Sequence, residues 1–396
     1  MSDLSKAKRI LTEGAHTCVL CREDAVYTAD DRGVKPLVDW LDSGLDLRGF
    51  SAADKVVGRA TAFLYVLLGV RAVHALVMST PAKEALIAGG IEADCDREVG
   101  GIINRRGDGP CPFEEAVLGI TDPMEALTAI RKKQLLMRQP PEIAAHTKGK
   151  DFTLDSTGLS GSTVAIFEDF VLKSEPVSGE SENSLAMLRW LDGKIPAPRV
   201  LESVILGGFR WTLMTRISGE MSCAEANRAD PHRLVRVLAG ALKSLWDIDI
   251  SGCPVDQSPS AKLDRAEGII ERGQVNMDLV DPETFGENGF SSPAELHRWL
   301  RENAPDFEPV LTHGDFCLPN VFLENGAFSG FLDLGRSGAG DKWTDIAILW
   351  RTLRDNFGGH YGEAVEGFHP DKLFEVLGME KDEEKLRYYL LMDELF

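Results

Sequence analysis

The sequence predicts an α/β domain, in which helices cover a sheet, followed by an α+β domain of two lobes. The first indication is an alternation of short strands and helices over residues 1–135. The second is a break at 136–150, a proline-containing stretch of low apolar content that we interpret as a linker. The third is a set of short strands in 151–217, followed by a mostly helical segment over 218–396. The length of 396 residues also favours more than one domain.

Helix-ending glycines and apolar runs locate the elements of the N-terminal domain. Gly14 and Gly69 end two of the predicted helices, and Pro81 begins a third. The predicted order is a helix at 5–13, strands at 17–22 and 25–28, helices at 34–43 and 52–68, a strand at 73–78, a helix at 81–88, a strand at 92–94, and further segments at 114–118 and 123–133.

The C-terminal domain begins with a different pattern. Short apolar runs predict strands at 152–155, 164–168, 170–173, 200–204 and 211–214, with a helix at 180–191. After Gly219 the apolar spacing becomes mostly helical. A small strand-rich lobe followed by a larger helical lobe is the expected arrangement.

Charge and composition restrict the partners. The chain carries 43 Lys and Arg against 63 Asp and Glu, a formal net charge of -20. Nucleic acids and anionic membranes need basic surfaces, so neither is expected as a partner. A cationic ligand would instead be tolerated or attracted. No apolar run is long enough to span a membrane, and no signal peptide is recognised.

The seven cysteines are odd in number and scattered, which favours reduced thiols and a cytoplasmic location. Cys18 and Cys21 form a C-x-x-C sequence, but the segment is predicted to be a strand. Positions three apart on a strand face opposite sides, and no second C-x-x-C completes a metal site. We therefore expect both cysteines to lie in the core.

The strongest chemical signal is the segment 313–320, His-Gly-Asp-Phe-Cys-Leu-Pro-Asn, followed by a hairpin and Asp333. Phosphoryl transfer needs a carboxylate beside the attacking hydroxyl, and Asp315 fits that role. It also needs hard oxygen ligands for a divalent cation, which Asn320 and Asp333 supply. The interval from Asp315 to Asn320 matches the Asp and Asn of a kinase catalytic loop.

A nucleotide site is predicted upstream of that motif. Small residues at 156–162, among them Ser160 and Gly161, would let backbone N–H groups approach phosphates. Lys173 ends an apolar strand, where a kinase places the lysine that contacts the α- and β-phosphates. The segment around Thr215 and Ile217 is interpreted as the hinge, whose backbone would contact adenine.

Residues 151–396 resemble the aminoglycoside 3'-phosphotransferase family over essentially their full length. The matching stretches are 190–196, 248–254, 312–320, 330–338, 341–347 and 393–396. The resemblance implies a protein-kinase-like fold, ATP and Mg²⁺ as cofactors, and a cationic aminosugar of the kanamycin or neomycin type as acceptor, with antibiotic resistance as the outcome.

The resemblance also implies roles for particular residues. Asp315 would be the catalytic base, Asn320 and Asp333 the metal ligands, and Lys173 the phosphate lysine. The acceptor site would include Arg336 together with three residues at the end of the sequence, Asp393, Glu394 and Phe396.

One position departs from the family pattern. The family has a Glu six residues before the Trp, where it pairs with the phosphate lysine, and here that position is Ser184. Glu180 lies one helical turn earlier on the same face, so it is the candidate replacement. The alternative is a lysine that is less firmly positioned.

Residues 1–135 resemble a small family of cytidine-deaminase-like domains that lack the zinc site. Deaminases need His-x-Glu on one helix and Pro-Cys-x-x-Cys on the next. The corresponding places are assigned to 53–55, Ala-Asp-Lys, and to the helix that carries Ala82 and Ala85. Asn104, Arg105, Arg106 and Cys111 could line a residual pocket; the alternative is a turn with a solvated basic loop.

Two other functions remain open at this stage. The chain could phosphorylate another hydroxylated metabolite. It could also be a nucleotide-binding pseudokinase sensor, which the loss of the usual Glu at Ser184 favours and the intact Asp315, Asn320 and Asp333 disfavour. The oligomeric state is left open.

Overall fold

The structure is a computed structural model that describes residues 1–155, 162–278, 280–286, 289–361 and 363–396. The chain divides into two compact units, Met1–Gln139 and Pro140–Phe396, and each is described by itself.

The N-terminal unit alternates helices and strands as predicted. Its elements are α1 (Asp3–Glu13), β1 (Cys18–Arg22), β2 (Ala25–Ala29), α2 (Lys35–Asp42), β3 (Ser51–Val57), α3 (Arg59–Leu68), β4 (Ala72–Ser79), α4 (Thr80–Ala88), β5 (Glu92–Val99), α5 (Pro112–Ala116) and α6 (Pro123–Arg138).

These strands form one five-stranded mixed sheet in the order β2-β1-β3-β4-β5. Strand β1 pairs antiparallel with β2 and β3, whereas β3, β4 and β5 run parallel. The two cysteines of the C-x-x-C sequence lie on opposite faces: Cys18 packs with the main core of this unit and Cys21 with a smaller cluster beneath α1. The prediction that both are core residues is confirmed.

The predicted helix at 52–68 is wrong in its first half. Residues Ser51–Val57 are strand β3, and the helix begins only at Arg59, after Gly58. The stretch is rich in alanine, which favours helix in isolation. Pairing with β1 on one side and β4 on the other overrides that preference, because it places Ala52 and Ala53 at fully buried positions of a central strand. The proposed His-x-Glu equivalent at 53–55 therefore lies on a strand and not on a helix.

The C-terminal unit begins with helix α7 (Pro141–Thr147), where the linker 136–150 was predicted. The boundary between the two units, after Gln139, falls within the predicted linker, although residues 136–138 complete α6. Proline at the first turn of α7 is compatible with a helix start, and Ile143 is fully buried. A short polar sequence can therefore be ordered by burying one or two side chains.

A small lobe follows α7. It contains β6 (Thr153–Asp155), β7 (Thr163–Ile166), β8 (Phe170–Pro176), helix α8 (Gly179–Leu191), β9 (Val200–Leu206) and β10 (Phe209–Thr215). The strands form an antiparallel sheet in the order β6-β7-β8-β10-β9.

The remainder is mostly helical and has its own large core. Its elements are β11 (Glu220–Met221), α9 (Glu225–Arg228), α10 (Pro231–Trp246), β12 (Asp256–Gln257), α11 (Pro259–Glu271), α12 (Pro293–Glu302), β13 (Pro309–Thr312), β14 (Val321–Glu324), β15 (Ala327–Phe331), β16 (Gly338–Asp341), α13 (Trp343–Phe357), α14 (Lys372–Leu377) and α15 (Glu383–Asp393). Two small sheets, β11-β14-β15 and β12-β16-β13, carry the loops that the sequence analysis singled out.

In the part of the chain that the structure describes, no helix is both long and apolar enough to cross a bilayer.

Candidate functional site

A buried carboxylate accepts hydrogen bonds from the backbone of the loop that carries Asp315. Asp345, in the first turn of α13, accepts from the backbone N–H of His313 at 2.7 Å and from that of Gly314 at 2.8 Å. Burial raises the pKa of Asp345 to about 6, against the effect of nearby His313 and of these two N–H donors. A loop whose N–H groups are fixed in this way keeps one conformation.

Gly314 is required by the geometry of the same loop. Its φ is +83°, a left-handed conformation that side chains disfavour. A Cβ atom placed there would lie 1.8 Å from the carbonyl oxygen of Arg336. The glycine therefore lets the Asp315 loop and the segment after Asp333 approach each other closely.

Asp315 and Asn320 are brought into direct contact. The amide Nδ2 of Asn320 donates to Asp315 Oδ2 at 2.9 Å and to the Asp315 carbonyl at 3.0 Å. This arrangement fixes the Asp315 carboxylate. It also leaves Oδ1 of Asn320 as an acceptor that can serve a cation.

Asp333 is tied to the same loop through its neighbour Leu332. The Leu332 N–H donates to the carbonyl of Asn320 at 2.9 Å, and His313 Nε2 donates to the Leu332 carbonyl, also at 2.9 Å. Asp333 itself has a φ of +54°, a strained conformation for a residue with a side chain. Strain of this kind is found where a side chain must be aimed at a site.

Lys173 lies between two carboxylates. Its Nζ is 3.1 Å from Oε2 of Glu175 and 3.3 Å from Oδ1 of Asp333. Burial disfavours the ammonium, but the two acids outweigh that effect and hold the pKa of Lys173 above its ordinary value. The structure thus brings together Lys173 and Asp333, the predicted phosphate lysine and one of the two predicted metal ligands.

Glu175 was missed by the sequence analysis. The signal was available, because Lys173 and Glu175 are two residues apart on β8 and so share one face of the sheet.

Glu180 does not contact Lys173. Its Oε1 lies 3.7 Å from Nε of Arg336, and its Cγ packs against Gly335. The prediction that Glu180 replaces the missing family Glu is therefore wrong in this structure, since α8 begins over the Asp333 turn and not beside the lysine. Arg336 in turn lies 3.8 Å from Asp393.

The predicted acceptor residues at the end of α15 form a charged cluster. Asp393 is hydrogen-bonded by Arg351, and Arg351 and Arg336 hold the pKa of Asp393 below its ordinary value against the effect of burial. Glu394 accepts from the backbone N–H of Asp281 at 2.9 Å. Asp393 is thus occupied in positioning two arginines.

Phe396 lies beside an ammonium. The buried Lys262 has its Nζ 5.5 Å from the centre of the Phe396 ring, within cation–π range. Burial lowers the pKa of Lys262 to about 8, despite Asp393 nearby. This lysine on α11 was another residue that the sequence analysis did not identify.

The nucleotide residues are only partly described. Ser160 and Gly161 lie outside the described residues. The N–H of Thr215 donates to the Arg199 carbonyl at 2.9 Å, which joins β10 to the start of β9. Ile217 follows the end of β10, and no backbone group of the described residues accepts from its N–H. That N–H can therefore donate to a ligand.

The residues fit a divalent cation. The ammonium of Lys173 already lies against Asp333, which shows that this carboxylate can stabilise a positive charge at its position. No cluster of three His, Cys, Asp or Glu residues suited to a metal is found in the described ranges. Magnesium in phosphoryl-transfer sites takes most of its ligands from phosphates and water, so one carboxylate and one amide oxygen suffice.

A two-lobed domain with these groups at its catalytic loop defines a phosphotransferase. A family model described as "Phosphotransferase enzyme family" matches residues 151–373, more than half of the chain. The chain therefore belongs to the phosphotransferase enzyme family. Residues 6–134 match a second model, described as "Domain of unknown function (DUF1893)".

Curated relatives of the C-terminal unit are named aminoglycoside 3'-phosphotransferase. The one from Enterococcus faecalis is 34% identical over 217 residues, which cover 54% of this chain and 78% of the relative. One from Escherichia coli is 33% identical over 268 residues, covering 65% of this chain and 94% of the relative.

Solved structures have the same fold. A type VIII aminoglycoside 3'-phosphotransferase is 25% identical, with a TM-score of 0.54, and the match covers 66% of this chain and 98% of that one. An aminoglycoside phosphotransferase from Streptomyces rimosus is 24% identical, with a TM-score of 0.54, covering 67% and 98%. The kinase-like fold expected for the C-terminal unit is confirmed; the deaminase-like description of the N-terminal unit stays a prediction.

Proposed function

We propose that the C-terminal unit transfers the γ-phosphoryl group of ATP to a hydroxyl of an aminoglycoside of the kanamycin or neomycin type, and that this confers resistance. The observation that carries the proposal is the arrangement of Asp315, Asn320 and Asp333, which two hydrogen bonds to the backbone of Leu332 hold in one unit. The names of the curated relatives support the acceptor class.

Each residue has a separate task in this reaction. Asp315 orients the incoming hydroxyl with the carboxylate oxygen that Asn320 leaves free, and it receives the proton as the new O–P bond forms. Lys173, steadied by Glu175, contacts the phosphates from the small lobe. Asn320 and Asp333 would hold Mg²⁺, which supplies charge neutralisation between the phosphates.

The acceptor side is organised by the cluster at the end of α15. The net charge of -20 favours a polycationic acceptor over an anionic one. Asp393 fixes Arg336 and Arg351, while Glu394, whose side chain is only 10% exposed, joins the segment at Asp281 to the end of α15. Because the proposed reaction consumes ATP, a cytoplasmic location is part of the proposal.

The test is ADP release by the full-length chain with ATP and Mg²⁺. Kanamycin A and neomycin B are compared with glucose and choline, and ³¹P NMR locates the phosphate on the product. Turnover with the two antibiotics is expected, and Asp315→Ala is expected to lower kcat by roughly 10²–10⁴-fold with ATP binding kept.

The outcomes separate the alternatives. Turnover with glucose or choline alone identifies a metabolite kinase. ATP binding without turnover on any acceptor supports a nucleotide sensor. Undiminished turnover by Asp315→Ala excludes Asp315 as the base.

A further inference from the structure

The N-terminal unit contains a cavity that phosphoryl transfer in the other unit does not use. Its volume is about 890 Å³, which is in the range of small-molecule sites. Most of its wall is apolar and includes Phe113 and Val34. Asn104, Arg105, Arg106 and Cys111, for which the sequence left open a residual pocket or a solvated basic loop, all line this cavity.

One wall carries a buried acid in a chain of hydrogen bonds. Asp54, only 9% exposed, accepts from the Val56 N–H at 3.0 Å and from the Tyr65 hydroxyl at 2.8 Å. The Tyr65 oxygen is 3.0 Å from the sulfur of Cys18. Asp54 and Cys18 both line the cavity. The Lys55 N–H and the Cys18 thiol also act on Asp54 as donors, so a ligand N–H would replace the weakly donating thiol at one of the about four acceptor positions of the carboxylate.

A fixed turn presents two arginines at the mouth. The Asn104 side-chain oxygen accepts from the N–H groups of Arg106 and Gly107, at 3.0 and 2.9 Å, and its Nδ2 donates to Asp108. Arg105 and Arg106 are exposed while lining the cavity. The turn therefore holds their backbone in place while the guanidinium groups remain accessible.

Three arginines of the cavity lining form no ion pair among the described residues. In the described part of the chain, the guanidinium groups of Arg32, Arg105 and Arg106 have no acidic partner. The acids of the same lining are already engaged: Asp30 with His16, Asp31 with Lys35, Asp108 with Asn104, and Glu114 with the Ala60 N–H. Guanidinium groups that line a cavity and form no ion pair can hold an anionic group of a ligand.

The start of helix α3 is not that anion site. Glu114 Oε1 accepts from the Ala60 N–H at 3.4 Å, so the protein supplies its own carboxylate there. Gly58 makes this possible, because a Cβ at that position would lie 2.3 Å from the same oxygen. A ligand anion must therefore be held by the arginines.

We propose that this cavity binds a small planar nitrogen heterocycle that carries an anionic group. Its ring packs on the apolar wall, its N–H donor meets Asp54, and its phosphate or carboxylate lies between Arg105 and Arg106. The N-terminal unit is then a ligand-binding module independent of the phosphotransferase reaction.

The test measures equilibrium dialysis of the full-length chain with three pairs of probes. CMP and orotate carry the N–H donor and the charge, phenyl phosphate and benzoate carry the charge alone, and cytidine and uracil carry the donor alone. CMP or orotate is expected to bind at least roughly tenfold more tightly than its partial analogues. CMP binding without orotate binding identifies phosphate as the anion, and the reverse identifies carboxylate.

Variants separate this cavity from nucleotide binding elsewhere. Arg105→Ala/Arg106→Ala is expected to weaken binding of CMP and orotate roughly tenfold. The matched control Arg9→Ala/Arg97→Ala removes the same charge from exposed positions outside the lining and should bind like the wild type. Asp54→Asn is expected to weaken CMP and orotate and to spare phenyl phosphate and benzoate. Equal binding by wild type and Arg105→Ala/Arg106→Ala, or no binding of any probe, overturns the proposal.

Discussion

Lys173 and Glu175 form an ion pair within a single strand, with Nζ and Oε2 3.1 Å apart. Both side chains are mostly buried, at 18% and 16% exposure. The lysine that faces Asp333 is therefore positioned by its own strand and not by helix α8. This pairing gives a direct way to test how the lysine is oriented.

Glu175→Gln is expected to raise the KM for ATP roughly tenfold, because a hydrogen bond to a charged group is weakened. Glu180→Gln is the matched control, since Glu180 contacts Arg336 and not the lysine. Glu180→Gln should change the KM for the acceptor and leave the KM for ATP nearly unchanged. Steady-state kinetics with each substrate varied in turn distinguishes the two. A larger ATP effect for Glu180→Gln would contradict the observed pairing.

Gly314→Ala is expected to lower kcat by about 10²-fold or more, because the loop must move away from the Arg336 carbonyl and carries Asp315 with it. Gly252→Ala is the control: its φ is similar, at +73°, but nothing lies within 4 Å of the added Cβ. It should lose some stability and keep kcat. Single-turnover phosphorylation measures both. Normal turnover by Gly314→Ala would mean that the close approach is unimportant.

Asp393→Asn is expected to destabilise the C-terminal unit by about 3 kcal/mol, because it leaves Arg351 without its main partner. Glu394→Gln should cost much less, since a glutamine oxygen can still accept from the Asp281 N–H. Urea unfolding followed by tryptophan fluorescence gives both values. If Asp393→Asn changes only acceptor binding, Asp393 contacts the acceptor directly, as the family resemblance implied.

Asp54 makes the stability of the N-terminal unit depend on pH. Burial raises its pKa to about 6, above the value of about 3.9 expected in the unfolded chain. Between these values the folded state holds a proton that the unfolded state has released, so stability falls as pH rises from about 4 to about 6.

Asp54→Asn removes this dependence. Above pH 6 the variant is expected to be more stable than the wild type by about 3 kcal/mol at most, and near pH 4 the two should be equal. Thermal unfolding of the N-terminal unit, followed at several pH values, provides the measurement. A parallel pH slope in the variant would assign the dependence to another group.

The catalytic loop was predictable because its information is local. The spacing of Asp315 and Asn320, and the hairpin before Asp333, lie within about twenty residues, and each turn has its own sequence signal. The support from Asp345 was not predictable in this way. It depends on where α13 packs, which is a property of the whole core.

The errors share a physical cause. The alanines of β3 led to the prediction of a helix, because helix propensity depends only on the local sequence. The pairing of β3 with β1 and β4 depends on residues far away in the chain. Helix α7 was read as linker because its few apolar residues gave a weak periodic signal. The orientation of Glu180 toward Arg336 depends on the angle at which α8 meets the Asp333 turn, and spacing along the helix does not encode that angle.

The backbone hydrogen bonds of Leu332 limit how the acceptor specificity of such an enzyme could change. Both of its backbone groups are bonded to the loop that bears the base, one to Asn320 and one to His313. Asp315, the proposed base, and Asp333, a proposed metal ligand, must therefore move, or stay, as one rigid piece. New acceptors are more readily accommodated by altering the segments at Asp281 and at the end of α15 than by changing the residues proposed to react, so laboratory selection for other sugars should collect substitutions there and leave 313–333 unchanged.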